Sequence, residues 1–353
     1  MMTADSLVPR TIYVQLESGH PVVLASIVDL QGSSPRHRGA KMVVCYDGKN
    51  YGTIGGSLFE AKAIEEARRV LIAGKSKFMD FSFDDSSTLP DGMICGGKAV
   101  VLLDFMPVSQ ENIDLFRCWY NSILAGTTFY FLTYLNETNA GINTSGHFLL
   151  FRDGRIVGDS SLSIPQLETL KSEIHNISVT SIISIGDTRA IVDPIKKLQT
   201  LYCFGAGHVA IPTAHIAALA GFRVVVLDDR SEFANAERFP DTEQIHVIKD
   251  YAKVFKGLEI DKDSFIAIMT RGHQYDQIVL EQALRTPASY IGMISSRKKR
   301  NVIYKAMLTK GFQKQELERV HSPIGITIGS ETPEEIAVSI VAQLIKERSK
   351  LTT

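Results

Sequence analysis

Apolar positions along the chain follow two different rhythms. Up to about residue 194 they fall mostly in short strand-like runs separated by turn residues, with a few helical stretches between. Pro21 to Leu30, Met42 to Cys45, Ala99 to Phe105 and Thr127 to Leu135 read as strands. Asp47-Gly48, Asp153-Gly154 and Gly186-Asp187 read as hairpin turns between apolar runs. Thr11 to Glu17 reads as the tail of an opening helix, and helices are expected from Ser57 to Gly74, over Asp114 to Ala125 and over Leu167 to Ile174. The Ser57 helix carries Leu58, Ala61, Ile64, Ala67 and Leu71 on one face, and Ser57 with Glu60 has the form of a capping box.

From Leu201 the rhythm changes to strands alternating with helices. Leu201 to Phe204, Val224 to Leu227, His246 to Ile248, Asp263 to Met269 and Ser289 to Met293 are short apolar runs of the buried-strand type. Between and after them lie helical segments at Val209 to Ala220, Gln274 to Leu284, Arg297 to Lys310 and from Thr332 to about Lys346. Thr332-Pro333-Glu334-Glu335 supplies an N-cap, a proline at N1 and acids in the first turn. This alternation predicts a doubly wound parallel sheet. The expected organisation is an N-terminal mixed α/β domain over 1–196 and a C-terminal α/β domain over 197–353, divided where periodicity lapses near Pro194 to Thr200.

The most informative stretch is Leu201 to Asp229. A strand meets Gly205-Ala206-Gly207, an uncharged Ala-rich helix follows with Ala210 at the third small position, and a second strand ends in Asp228-Asp229. This is the G-x-G-x-x-A arrangement of dinucleotide-binding units. The first glycine permits the turn, the second lets backbone approach a phosphate at the helix N-terminus, and an acid about 20 residues on can take a ribose hydroxyl.

Composition narrows the function classes. The 353 residues are 44% hydrophobic and 22% charged, enough for two packed domains, and a formal net charge of -1 gives no basis for a nucleic-acid or anionic-membrane partner. The N-terminal stretch lacks the apolar core of a signal peptide and no apolar run is long enough to span a bilayer, so a cytoplasmic protein is expected. Four cysteines, Cys45, Cys95, Cys118 and Cys203, are too far apart for a zinc knuckle or a C-x-x-C pair.

In the second domain Gly205, Gly207, His208, Asp228, Arg271 and Ser296 stand where strands end, the usual place for a ligand in an open α/β sheet. In the first domain Gly32 to Lys41, Gly52 to Ser57 and Cys95 to Lys98 are glycine-bearing loops. Converged, they would form an anion pocket from Gly55, Gly56, Gly96 and Gly97, with Arg36 and Arg38 as clamps and Cys95 as a soft ligand. Two readings of Cys95 stand side by side: a thiol packed at a strand entrance, or a reactive thiolate favoured by nearby Lys98.

Taken together, Gly32-Ser33-Ser34-Pro35-Arg36, Gly52-Thr53-Ile54-Gly55-Gly56, Ile94-Cys95-Gly96-Gly97, Gly205-Ala206-Gly207-His208-Val209, Pro323-Ile324-Gly325 and Thr332-Pro333-Glu334-Glu335-Ile336-Ala337 resemble the xanthine dehydrogenase accessory factor family (XdhC/CoxI), in order and over nearly the whole chain. Ser57, Arg271 and Ser295 depart from the glycine, histidine and glycine that many members carry there. The resemblance implies a mixed α/β domain followed by a Rossmann domain, and a homodimer. It also implies a chaperone, more than an enzyme, that binds molybdenum cofactor (molybdopterin). Such a chaperone supports sulfuration of the cofactor with a cysteine desulfurase and passes it to apo-xanthine dehydrogenase or a related molybdenum hydroxylase. Under that reading Cys95 is the candidate metal ligand or sulfur-transfer residue. The competing reading from the residues alone is an NAD(P)-dependent oxidoreductase built on Gly205, Gly207 and Asp228.

Overall fold

The computed structural model describes residues 4–32, 36–82, 97–138, 141–160 and 162–351. The chain divides into two compact units, Met2–Lys197 and Leu198–Thr353.

The first unit contains two antiparallel five-stranded sheets. One has the order β3-β2-β1-β5-β4, from β1 (Val22–Gly32), β2 (Lys41–Cys45), β3 (Asn50–Gly52), β4 (Lys77–Ser82) and β5 (Gly97–Met106). The other has the order β8-β7-β6-β10-β9, from β6 (Phe129–Thr138), β7 (Gly141–Phe151), β8 (Ile156–Gly158), β9 (Ser181–Ile185) and β10 (Thr188–Ile195). Helices α1 (Ala4–Glu17) and α3 (Gln110–Leu124) share one core with both sheets, through Val8, Ile12, Phe116, Trp119, Leu24 and Phe131. Helix α2 (Ser57–Ala73) covers the other face of the first sheet, and α4 (Ile164–Ile174) the other face of the second.

The expected strands and helices of this unit are present, with differences in extent and at one cap. Strand β3 has one apolar residue, and β4, although it carries Phe78, Met79 and Phe81, is an edge with no fully buried position and so shows no clear buried face. Strand β10 runs on through Asp193 and Pro194, and α3 begins at Gln110. The capping box expected at Ser57 is replaced by a different device. Gly56, at φ 75°, takes the N-cap position, and the Glu60 carboxylate accepts from the Gly56 and Ile54 amides and the Thr53 hydroxyl. Glu60 therefore ties down the whole glycine loop.

The second unit is a six-stranded parallel sheet of order β13-β12-β11-β14-β15-β16. Its strands are β11 (Thr200–Phe204), β12 (Arg223–Asp228), β13 (Gln244–Val247), β14 (Ser264–Ile268), β15 (Tyr290–Met293) and β16 (Val320–His321). Helices α5 (Ala210–Leu219) and α9 (Pro333–Lys350) cover one face; α6 (His273–Ala283), α7 (Arg297–Thr309) and the short α8 (Lys314–Glu318) pack on the other. Strands buried on both faces read as continuous apolar runs, which is why β11, β12 and β14 are so clear in the sequence. Thr332 and Glu335 form the N-terminal cap expected for α9. Among the described residues no helix is long and apolar enough to cross a membrane.

In the first unit a buried ion pair joins the two sheets: the Lys41 ammonium on β2 meets the Asp193 carboxylate on β10, which also accepts from Thr180 Oγ1 at 2.6 Å. Removing one member of such a pair strands the other charge. Asp193→Ala is expected to cost about 3 kcal/mol. Urea unfolding followed through the buried Trp119, the chain's only tryptophan, checks it; an unchanged midpoint would show that the pair contributes nothing net.

Candidate functional site

The best-formed candidate site lies at the carboxyl end of β11, where the strand order reverses between β12 and β14. Gly205 makes the turn. It has φ 113°, and a Cβ there would sit 2.2 Å from the Met269 carbonyl oxygen, so no side chain fits. Its amide donates to the Leu227 carbonyl at 2.7 Å, and the Ala206 amide donates to Asp228 Oδ2 at 2.8 Å. The turn is thus bolted to the end of β12.

Gly207 is different. A Cβ on it would meet nothing within 4 Å, so neither packing nor backbone conformation requires glycine here. The space in front of it is open and lies at the start of α5. That helix has no side-chain cap and no acid in its first turn, so its positive dipole end faces that space; of its first three residues, Ala210 donates its amide to the Gly207 carbonyl at 3.1 Å and Pro212 has no N–H. His208 beside it is exposed.

The acid at the end of β12 does not face outward. Asp228 is fully buried, and besides the Ala206 amide it accepts from Arg230 N, Nε and Nη2 at 3.1, 2.8 and 2.9 Å. Burial pushes its pKa up, but the hydrogen bonds from Arg230 and Ala206 and the Arg230 charge outweigh that and hold it below the usual value. Its carboxylate serves the turn and has little capacity left for a ribose. Asp229, the next residue, faces the site: Oδ2 accepts from Arg271 at 2.6 Å. Since β12 and β14 flank β11, this Asp229–Arg271 pair spans the end of β11. Arg271 also packs over Tyr275 and donates to its hydroxyl at 3.3 Å.

On the far side, Asp276 is buried and accepts from Thr270 N and Oγ1 while pairing with Lys299. This fastens the turn after β14 to the first turns of α6 and α7. Ser296 caps α7, its hydroxyl accepting from Lys299 N at 3.2 Å. The sequence places Gly205, Gly207, His208, Asp228-Asp229-Arg230, Arg271 and Ser296 here, with Asp228 as the chosen acid; it does not single out Asp276 and Lys299. The available signal for the inward turn of Asp228 is Asp228-Asp229-Arg230 itself, since an arginine two residues on can fold back onto the first acid.

In the first unit the antiparallel register sets Gly32 directly opposite Gly97, so two of the three glycine segments meet at one end of the first sheet. The loop carrying Gly55 and Gly56 leaves β3 at the same end, but β1 continues from Ser26 to Gly32 beyond the last rung it shares with β2. Arg36 is exposed, while Arg38 is held by Asp29 and the Leu30 carbonyl. Cys95 and Gly96 lie outside the described residues. Burial, with Asp47 adding to it, pushes the Cys45 thiol up to about 11, and burial alone pushes Cys203 to about 12; both are inert at neutral pH. Among the described residues no group of three or more His, Cys, Asp or Glu could hold a metal ion.

A parallel sheet in this order, with a glycine turn leading to an uncapped helix, defines a Rossmann-type unit. The chain belongs to the XdhC and CoxI family: residues 15–82 match that family's model, and residues 201–344 match the model of the XdhC Rossmann domain. It is 24% identical to a probable xanthine dehydrogenase subunit of Bacillus subtilis (strain 168), over 95% of this chain and 96% of that protein. It is 20% identical to the molybdenum cofactor insertion chaperone PaoD of Escherichia coli (strain K12), over 94% of this chain and 85% of that protein. It is also 25% identical over 94% of its length to the uncharacterized protein YqeB of Escherichia coli (strain K12), but spans only 44% of that relative. A crystal structure described as a xanthine dehydrogenase from Bacillus halodurans has the same fold, with a TM-score of 0.81 and 26% identity over 99% of this chain and 96% of that one.

Two glycines two residues apart should therefore respond differently. Gly205→Ala is expected to lose roughly 3 kcal/mol through backbone strain and collision, whereas Gly207→Ala should stay within about 0.5 kcal/mol of the parent; thermal melts of the two variants decide. The depressed Asp228 pKa also sets a direction with pH. Its contribution is fully present above the unfolded value of about 3.9 and is lost as pH falls through the lower folded value. Asp228→Asn should therefore flatten the loss of thermal stability below about pH 4 relative to the parent; parallel acid profiles would contradict it.

Proposed function

We propose that this chain is an accessory protein for a molybdenum hydroxylase. It binds molybdenum cofactor, supports its sulfuration together with a cysteine desulfurase, and hands it to an apo-enzyme of the xanthine dehydrogenase class. The observation that carries the reading is the nearly end-to-end match to a molybdenum cofactor insertion chaperone and to a probable xanthine dehydrogenase component. The chain acts as a carrier, not as a catalyst of turnover, and works as a homodimer.

The residues present fit the phosphate of such a cofactor. The open face of Gly207 and the start of α5, which has no side-chain cap, offer close backbone approach and a helix dipole to an anion. Arg271 lies on the same rim. Once bound, the cofactor supplies molybdenum–dithiolene chemistry to the client; the protein's part is to bind, orient and shield it. A soft ligand or sulfur carrier suits that chemistry. Burial makes Cys45 and Cys203 inert and Cys118 is a half-buried residue of α3; we assign that role to Cys95 on the family resemblance of Ile94-Cys95-Gly96-Gly97. The inward turn of Asp228 weighs against the ordinary NAD(P) mode, in which the acid ending the second strand faces the ribose.

Anaerobic incubation with cofactor released from a donor enzyme, followed by gel filtration and addition of apo-xanthine dehydrogenase, tests the reading. The protein is expected to retain the cofactor and raise the activity recovered by the apo-enzyme. Gly207→Val should abolish retention, and Cys95→Ser should leave the fold intact while lowering recovered activity at least tenfold, roughly the effect of losing one strong ligand or transfer group. NADH binding in the micromolar range with hydride transfer, and no cofactor retained, would establish the oxidoreductase reading instead.

A further inference from the structure

Helix α7 carries five cations and no acid: Arg297, Lys298, Lys299, Arg300 and Lys305. Four of them fill its first turn, where the helix dipole already repels positive charge. Two of the five have a structural use. Lys299 pairs with the buried Asp276, and Arg300 donates to the Ser322 carbonyl at 3.1 Å and lies over the Tyr304 ring. Arg297, Lys298 and Lys305 are exposed and make no hydrogen bond or ion pair among the described residues. Acids on the neighbouring helices do not answer them. On α6, Asp276 is taken by Lys299, and Glu281 by Lys310 and Arg285. On α8, Glu316 accepts from the Gln313 amide, and the exposed Glu318 pairs with none of the three.

The unanswered cations share one face. Lys298, Val302 and Lys305 recur at helical spacing, with Arg297, Asn301 and Leu308 in the adjoining row, and all six are exposed. Ile303 and Met307 are buried on the opposite side. Val302 is 58% exposed and Leu308 48%, so apolar surface is set among the cations. Apolar contact with charge around it is the make-up of a protein docking surface, and here the complementary charge is negative. A nucleic-acid phosphate backbone offers nothing apolar to Val302 and Leu308, and two apolar side chains give too little area to enter a bilayer.

The place of this face in the fold indicates which partner it serves. Ser296, at the end of β15, caps α7, so the face starts at the same carboxyl end of the sheet as Gly207. We propose that the outer face of α7 docks a carboxylate-rich surface of the apo-hydroxylase that receives the cofactor. The identity of the partner rests on the carrier reading above; its acidic chemistry rests on α7 alone.

Biolayer interferometry on immobilised apo-xanthine dehydrogenase, at low and high salt, tests it. The parent protein is expected to associate with a rate that falls as salt rises. The double variant Lys298→Glu with Lys305→Glu should associate about tenfold more slowly at low salt and lose most of the salt dependence. Val302→Asp should dissociate roughly tenfold faster. These side chains are exposed, so thermal melts are expected to match the parent. Parent-like association by the folded double variant would overturn the assignment. So would no binding of the parent to the apo-enzyme, or charge-dependent binding to duplex DNA or to phosphatidylserine vesicles in its place. Cofactor retention by the same preparations separates the two ideas. Charge-dependent docking without retention leaves this surface standing and the carrier role wrong; retention with docking indifferent to α7 does the reverse.

Discussion

The second unit depends on how closely β11 passes the end of β14. At Gly205 the chain runs so near the Met269 carbonyl that even a methyl group is excluded. The amides of Gly205 and Ala206 are then captured by Leu227 and Asp228. That contact is followed by the open face of Gly207 and by α5, which starts without a side-chain cap. Asp228 is drawn inward to do this, and Asp229, itself mostly buried, pairs with Arg271. The crevice is therefore a consequence of one steric constraint and the hydrogen bonds that answer it.

Much of this was legible in the sequence, and the reasons are physical. Val224 to Leu227 and Phe265 to Ile268 are buried on both faces, so their apolar runs are unbroken. Thr332 and Glu335 advertise the start of α9 because the cap is made by their own side chains. Strands such as Asn50–Gly52 and Val320–His321 were not legible, because they are held by ladder bonds to a neighbour and carry little apolar pattern of their own. Glu60 was recognised as a capping acid, but its partner is the backbone of Gly56, a choice that depends on a positive φ and not on a side chain.

The site shows the same division. That Gly205 and Gly207 sit at a strand-to-helix turn follows from spacing; that only the first is sterically required does not, since the decisive neighbour, Met269, is distant in sequence. Likewise a pair of aspartates ending a strand signals an acid at the rim but not which one faces it. The choice is made by Arg230, whose guanidinium lies over Phe233 and closes on Asp228. In the first unit, register brings Gly32 and Gly97 together as the glycine-bearing loops suggested. The chemistry expected of Cys95 rests on the resemblance of Ile94-Cys95-Gly96-Gly97 to the family.

The central claim is that this chain carries a phosphate-bearing molybdenum cofactor for another enzyme. Its most direct test is native mass spectrometry of the protein purified anaerobically from cells making a molybdenum hydroxylase, followed by identification of whatever small molecule is released on denaturation. The account predicts a released pterin species with molybdenum in the parent protein and its absence from Gly207→Val. A nicotinamide dinucleotide as the sole released ligand, or a pterin retained equally by Gly207→Val, would contradict it.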